Sequence, residues 1–315
     1  MKALVTGVAG FIGSHLAEEL LKQDATVIGL DCFTDSYPRA TKEANLAAVH
    51  GHHGFMLVEA SLQQADLARL LDGVTHVFHL AAQAGVRKSW GRDFQTYVAC
   101  NVEATQVLLE ACVANPPDRF VYASSSSVYG DACEIPMRET ARPQPVSPYG
   151  VTKLAAEHLC HLYWVNHGVP TVSLRYFTVY GPRQRPDMAF HRFLRALLAS
   201  RAISLYGDGE QTRDFTFVDD AVAATLAAAD HGTAGRVYNI GGGSRVSMNE
   251  VIALLGQVVG RAPMVSREGV QKGDMRDTYA DTSLARAELG FQPRMPLAEG
   301  LEAEYRWLAR AVAVV

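Results

Sequence analysis

Tyr149 and Lys153 stand four residues apart in SPYGVTK, and on a helix that spacing puts a phenol and an ammonium on one face. A neighbouring ammonium favours phenolate and draws a tyrosine down from its reference pKa of about 10, so the pair could act as a general base near neutral pH. Such pairs also arise by chance on helix surfaces. A second cluster is ASSSSVYG, residues 123–130, where Ser124, Ser125, Ser126 and Ser127 follow the apolar run RFVYA. Hydroxyls at a buried strand end must each find a hydrogen-bond partner, or face water or a ligand. A third is TGVAGFIG, residues 6–13, which spaces Gly7, Gly10 and Gly13 as G-x-x-G-x-x-G between an apolar run and a helical pattern. Glycines there let the backbone approach a pyrophosphate seated on a helix N-terminus, although the same turn can serve packing alone. Asp31 closes the second apolar run. A carboxylate there accepts hydrogen bonds from an adenosine ribose and repels a 2′-phosphate, so the cofactor expected is NAD rather than NADP. Its positive nicotinamide would favour the Tyr149 phenolate further.

These groups need elements to carry them. KALVTG, ATVIGLD, FMLVEAS, HVFHLAA, RFVYASS, TVSLRYF and RVYNIGG read as strands, separated mostly by amphipathic segments such as SHLAEELLKQ and ADLARLLD. That alternation predicts an α/β fold, a doubly wound parallel sheet with helices on both faces. Ser147 suits a helix N-cap and Pro148 the first turn, while Ser247 and Glu250 have the spacing of a capping box. The later helical segments predict a smaller C-terminal substrate-binding lobe over the carboxyl ends of the strands. The division expected is 1–176 plus 214–240 for the dinucleotide half, and 177–213 plus 241–315 for the substrate half. The final AVAVV reads as a frayed helix end.

The chain has 315 residues, of which 48% are hydrophobic, and a net charge of −4. That balance excludes a generally basic nucleic-acid binder, and an anionic ligand must meet local arginines. Lys2 opens the first strand-like run, leaving no room for a signal peptide, and no apolar run reaches the ~18 residues of a membrane span. A cytoplasmic location with no membrane partner follows as the expectation. Cys32, Cys100, Cys112, Cys133 and Cys160 are an odd number, with no C-x-x-C pair, and read as free thiols. His50, His52 and His53 cluster without carboxylate or cysteine partners and read as a loop, so no metal is expected.

TGVAGFIG, HLAAQAG, ASSSSVYG, YGVTK and RYFTVYGP together resemble the extended short-chain dehydrogenase/reductase family of nucleotide-sugar epimerases and dehydratases, over essentially the whole chain. The resemblance implies a Rossmann sheet and a catalytic Ser125, Tyr149 and Lys153, with Ser125 found by counting back from Val128-Tyr129-Gly130. Ser124 then becomes a structural hydroxyl bonded to local backbone. Cofactor contacts are implied for Gly7, Gly10, Phe11, Ile12, Gly13, Asp31, Leu80, Ala81, Ala82 and Lys153. Ser61 stands where many relatives have an aspartate that contacts adenine.

Ser126 and Ser127 replace the Asp-Glu pair of the family's 4,6-dehydratases, and a serine hydroxyl cannot shuttle protons as a carboxylate does. Oxidation and re-reduction at C4 without elimination is the chemistry that remains. FTVYGPRQRPDMAF, residues 177–190, is similar to UDP-glucuronate 4-epimerases, with Thr178 where neutral-hexose epimerases commonly carry asparagine. A hydroxyl at Thr178 and a guanidinium at Arg185 could receive a carboxylate, although Arg185 also reads as a surface residue of a Pro-rich loop. By resemblance Arg213 and Arg276 meet the diphosphate, while Tyr206 and the Ala189-Phe190 backbone meet uracil. Arg87, Ser126 and Ser127 complete the expected substrate contacts. The reaction expected is C4 epimerisation of UDP-glucuronate. Neutral UDP-hexose epimerisation, UDP-glucuronate decarboxylation and a catalytically silent NAD-sensing scaffold are the alternatives. The helices around TYVACNVEATQVLLEACVAN and YGVTKLAAEHLCHLYWV are expected to pair two copies as a homodimer.

Overall fold

All seven β-rich runs form strands of one sheet. In the computed structural model, which describes residues 1–131 and 134–313, these are β1 (Lys2–Thr6), β2 (Thr26–Asp31), β3 (Phe55–Glu59), β4 (His76–His79), β5 (Arg119–Ser125), β6 (Thr171–Tyr176) and β7 (Val237–Ile240). Every pairing between them is parallel, in the order β3-β2-β1-β4-β5-β6-β7. The chain starts mid-sheet, winds to one edge, then returns to the other. A crevice therefore opens at the carboxyl ends of β1 and β4, the switch point where open α/β sheets bind ligands.

The helices that matter to the site are α1 (Phe11–Lys22), α2 (Ala104–Ala114), α3 (Pro148–His167), α4 (Ala189–Leu198), α5 (Val218–His231), α6 (Met248–Val259), α7 (Ser283–Leu289) and α8 (Leu297–Ala313). Alternation along the strands sends side chains to opposite faces. Ala3, Val5 and Val121 pack with Leu16 and Leu20 of α1 and Ala221 and Ala228 of α5. Leu4, Phe120 and Tyr122 pack with Leu108 of α2 and Ala156 and Cys160 of α3 on the other side. The first core continues without a break into Phe193 and Leu197 of α4, Val251 and Leu255 of α6 and Leu301 and Leu308 of α8. Outside the sheet, short strand pairs join 179–180 to 216–217, 212–214 to 245–247, and 203–206 to 265–268.

The local signals act as read. The backbone N–H of Gly150 donates to Ser147 Oγ at 3.1 Å, Pro148 occupies the first turn of α3, and the helix stops at Gly168, φ 70°. Ser247 and Glu250 close their capping box at the start of α6. Cys32, Cys100, Cys112 and Cys160 are free thiols, while Cys133 lies outside the described residues. His50, His52 and His53 are exposed in turns before β3. α8 runs through Ala313, so the closing AVAVV is helical as far as it is described. One element departs from expectation. The amphipathic segment before α2 is not a regular helix but carries a π-helical stretch over Val98–Glu103.

Candidate active site

At the crevice, the chain is packed too closely for side chains. A Cβ on Gly7, which adopts φ 70°, would lie 2.8 Å from the backbone nitrogen of Ala81, and one on Gly13 would strike the carbonyl of Gly7. The backbone N–H of Leu80 donates to the Thr6 carbonyl at 3.2 Å and that of Ala81 to Thr6 Oγ1 at 3.1 Å, fixing the end of β4, just before Ala82, against that turn. α1 begins at Phe11 and Ile12 with Gly10 as N-cap and no capping side chain. Asp31 is buried at the end of β2, where Oδ2 accepts from Ala9 N at 3.0 Å and Oδ1 from Phe33 N at 2.8 Å. A Cβ-free turn, an uncapped helix N-terminus and a carboxylate at the next strand end fit the pyrophosphate and ribose of a dinucleotide. Ser61 Oγ is spent on Gln64 at 3.1 Å.

Tyr149 and Lys153 share a face of α3, and Ser125 at the end of β5 hydrogen-bonds the phenol. Ser125 Oγ also accepts from the backbone N–H of Ser127 at 3.1 Å. The Tyr149 ring stands edge-on to Tyr97 at 6.2 Å, and the Tyr97 hydroxyl donates to the Gly85 carbonyl at 2.7 Å. The expected electrostatics need correction. Burial pushes the Tyr149 phenol above its ordinary value, against the lowering pull of the Ser125 hydrogen bond and the Arg185 charge. Lys153 does not supply the decisive charge because burial pulls its own pKa down to about 7, with Cys160 and Glu157 opposing. Its Nζ lies 4.6 Å from the centre of the Tyr122 ring. The protein's own groups thus leave both members short of their working charges, and a cofactor cation beside Tyr149 would act in the required direction.

Ser124 is structural, but not through local backbone. Its Oγ donates to Glu157 Oε2 at 2.6 Å, and Glu157 receives Arg175 Nη2 at 2.5 Å and Nε at 3.0 Å. Glu157 follows Lys153 by one turn of α3, so this buried pair ties the catalytic helix to β5 and β6. Asn101 is the positional residue that motif reading missed. Within the π-helical stretch its Oδ1 accepts from Gln83 N at 2.7 Å, and its Nδ2 donates to the Gln83 carbonyl at 3.0 Å and to Thr152 Oγ1 at 2.9 Å. It clasps the loop after β4 to α3 beside Tyr149. Its signal in the sequence is an amide interrupting the buried stripe of Tyr97, Ala104 and Leu108.

The substrate end gathers the expected arginines. Arg276 makes a two-point contact with Asp208, at 3.0 and 3.1 Å, and Arg213 Nη1 donates to the carbonyls of Thr212 at 2.9 Å and Arg276 at 3.1 Å. Burial draws the Arg213 guanidinium below its ordinary value. Arg87 pairs with Asp274 at 2.7 Å and lies 4.2 Å over the Tyr206 ring, while Arg192 stands 5.2 Å from that ring. Arg192 was not singled out by motif; its place one turn into α4 gave no distinct signal. Ala189 and Phe190 open α4, whose N-cap Met188 provides no capping side chain, and the Phe190 ring is buried against Tyr180 and Phe215. Thr178 lies just beyond β6, with its carbonyl receiving Thr216 N at 2.9 Å. Ser126 is buried and Ser127 half-buried at the end of β5. Arg185 is not a free surface residue, since its charge acts on Tyr149, and its Nε and Nη2 bind the Asp187 carboxylate at 3.0 and 2.9 Å.

A family model described as the NAD dependent epimerase/dehydratase family matches residues 3–241. The chain belongs to that family. A Bacillus subtilis protein described as an uncharacterized UDP-glucose epimerase is 45% identical over 98% of each chain. An Arabidopsis thaliana UDP-glucuronate 4-epimerase is 39% identical over 96% of this chain and 75% of its own. Among solved structures, UDP-glucuronic acid 4-epimerase from Bacillus cereus in complex with UDP-glucuronic acid and NAD superposes with a TM-score of 0.96 at 44% identity, covering 99% of this chain and 100% of that one. MoeE5 in complex with UDP-glucose and NAD gives 0.89 at 42% identity over 99% and 100%.

Proposed function

We propose that this enzyme inverts C4 of UDP-glucuronate to give UDP-galacturonate, through a transient 4-keto sugar. The observation that carries the reading is Arg185, whose charge reaches the catalytic phenol of Tyr149. A guanidinium there suits a carboxylate one carbon from the reacting centre. Tyr149 takes the proton from the sugar 4-hydroxyl, and Ser125, on the same phenol, holds that oxygen in line. Bound NAD takes the C4 hydride and returns it, and its nicotinamide cation adds the charge that favours the Tyr149 phenolate. Gly7, Gly10, Gly13, Asp31 and Lys153 are the residues that would hold it. Arg213 and Arg276 grip the diphosphate while the keto sugar turns about that linkage, with Arg87 and Arg192 flanking Tyr206 at the uracil end. Tyr149 then returns the proton on the opposite face. Ser126 and Ser127 offer no carboxylate for elimination, and together with Thr178 and Arg185 they keep the C5 carboxylate out of line with the 4-keto π-system, so it does not leave as carbon dioxide.

The substrate grip falls to 177–213 plus 241–315 and the dinucleotide to the remainder. Val151, Leu162 and Val165 of α3 and Val113 of α2 are exposed apolar residues that support a homodimer. Light scattering at micromolar concentration that finds only monomer would refute it. No described helix is long and apolar enough to cross a membrane, and the free thiols suit the reducing cytoplasm, the proposed location. A second reading, epimerisation of UDP-glucose, is favoured by the Asp187 carboxylate that offsets the Arg185 charge. Incubating purified protein with UDP-glucuronate and resolving the sugars decides between the readings. Galacturonate is the expected product; pentose or unchanged substrate would overturn the assignment.

A further inference from the structure

We infer that Asp187 is a specificity-determining residue, which sets how tightly Arg185 holds a substrate carboxylate. This rests on the proposed role of Arg185. Asp187 follows it by two residues and grips its lateral edge, Nε and Nη2, with both carboxylate oxygens at 3.0 and 2.9 Å. Only the end-on edge, Nη1 with the second Nη2 hydrogen, is left for a substrate. The pair is placed to matter. Asp187 Oδ2 lies 3.9 Å from where a Cβ on Gly85 would stand, and Tyr97 OH lies 3.6 Å from the same point. Tyr97 in turn meets the Tyr149 ring, so Asp187 sits at the wall of the catalytic pocket. Burial pushes the Asp187 carboxyl up, but the Arg185 hydrogen bonds outweigh it and hold the group below its ordinary value. Near neutral pH Asp187 is therefore an anion.

Two consequences follow from the charges. With Asp187 in place the Arg185 site has no net charge, so a sugar lacking a carboxylate can enter without leaving a bare guanidinium in a half-buried pocket. A sugar carrying one binds the same guanidinium as a second anion, and the mutual repulsion of the two carboxylates weakens the grip. A weakened grip suits this reaction, because the keto sugar must turn over within the pocket, and Arg185 keeps a counter-charge whenever the substrate carboxylate lets go.

The test compares Kd for UDP-glucuronate and UDP-glucose by calorimetry in NAD-loaded protein carrying Tyr149→Phe, which prevents turnover. Asp187→Asn keeps the size of the side chain and removes the charge. It should tighten UDP-glucuronate by roughly three- to tenfold, as expected for losing one partly exposed like-charge contact, while moving UDP-glucose less than about twofold. Adding Arg185→Ala should erase that gain. Unchanged or weakened UDP-glucuronate binding in Asp187→Asn overturns the inference, provided that Arg185→Ala alone still discriminates between the two sugars. Equal loss of both ligands in Asp187→Asn and Asp187→Ala makes the carboxylate a structural strut and overturns it as well. If Arg185→Ala does not discriminate, the carboxylate reading of Arg185 fails first and this inference falls with it.

Discussion

Glu157→Gln tests the buried charge pair beneath the catalytic helix. Glu157 and Arg175 are each 4% exposed, and the carboxylate accepts two hydrogen bonds from Arg175 and one from Ser124. Glutamine matches the volume but offers one acceptor oxygen in place of two and no charge, leaving the guanidinium uncompensated. Removing one partner of such a pair costs about 3–5 kcal/mol. The amide retains part of the hydrogen bonding, which places this variant near the lower end. In a chain of this length about 2 °C of Tm accompanies each kcal/mol, so the expected fall is roughly 6 °C or more. Differential scanning calorimetry and urea unfolding of matched proteins would measure it. A loss below about 1 kcal/mol would refute the reasoning. The physical alternative is then hydration, since a cavity of about 320 Å³, lined by Glu139, Arg142, His158 and His161, borders both residues and could admit water to Arg175.

Tyr149→Phe should abolish turnover while leaving NAD and UDP-sugar affinity within about twofold, because only the proton-transfer group is lost; a parallel loss of ligand binding would contradict that role. Lys153→Met should change how stability depends on pH in cofactor-stripped protein. With the folded lysine lowered to about 7, the unfolded chain binds the extra proton between that value and the reference near 10.4. The native protein therefore gains stability as pH rises through that window. The methionine variant lacks that gain, so its stability advantage should shrink by several kcal/mol from about pH 6 to about pH 10 in urea titrations; parallel curves would show that Lys153 titrates normally. Arg185→Ala should lower activity on UDP-glucuronate relative to UDP-glucose by about one to two decades, the worth of a charge-assisted contact of roughly 1.5–3 kcal/mol. It should also raise the pentose fraction, and an unchanged preference with an unchanged fraction would move the carboxylate site elsewhere.

The strands and the catalytic spacing were legible because they are local. Alternating apolar residues, the Gly7-Gly10-Gly13 turn and the Tyr149–Lys153 interval each depend on backbone geometry within a few residues, and Ser147 and Ser247 cap their helices for the same reason. Ordinary burial decided what the sequence misjudged. The Lys153 ammonium, read as the group that activates Tyr149, is itself suppressed by the apolar packing of α3 on the sheet, a desolvation that no spacing encodes. Ser124 finds Glu157 across 33 residues of chain rather than nearby backbone, and Asn101 finds Gln83 and Thr152 only because a π-helical stretch turns it inward. The arginines of the substrate end were found by type. Their partners, Asp187 beside Arg185, Asp208 on Arg276 and Asp274 on Arg87, were not. For Asp208 and Asp274 the pairing spans loops of different lobes, and even for Asp187 it depends on the fold of its loop, so the net charge a substrate meets is fixed by tertiary structure alone.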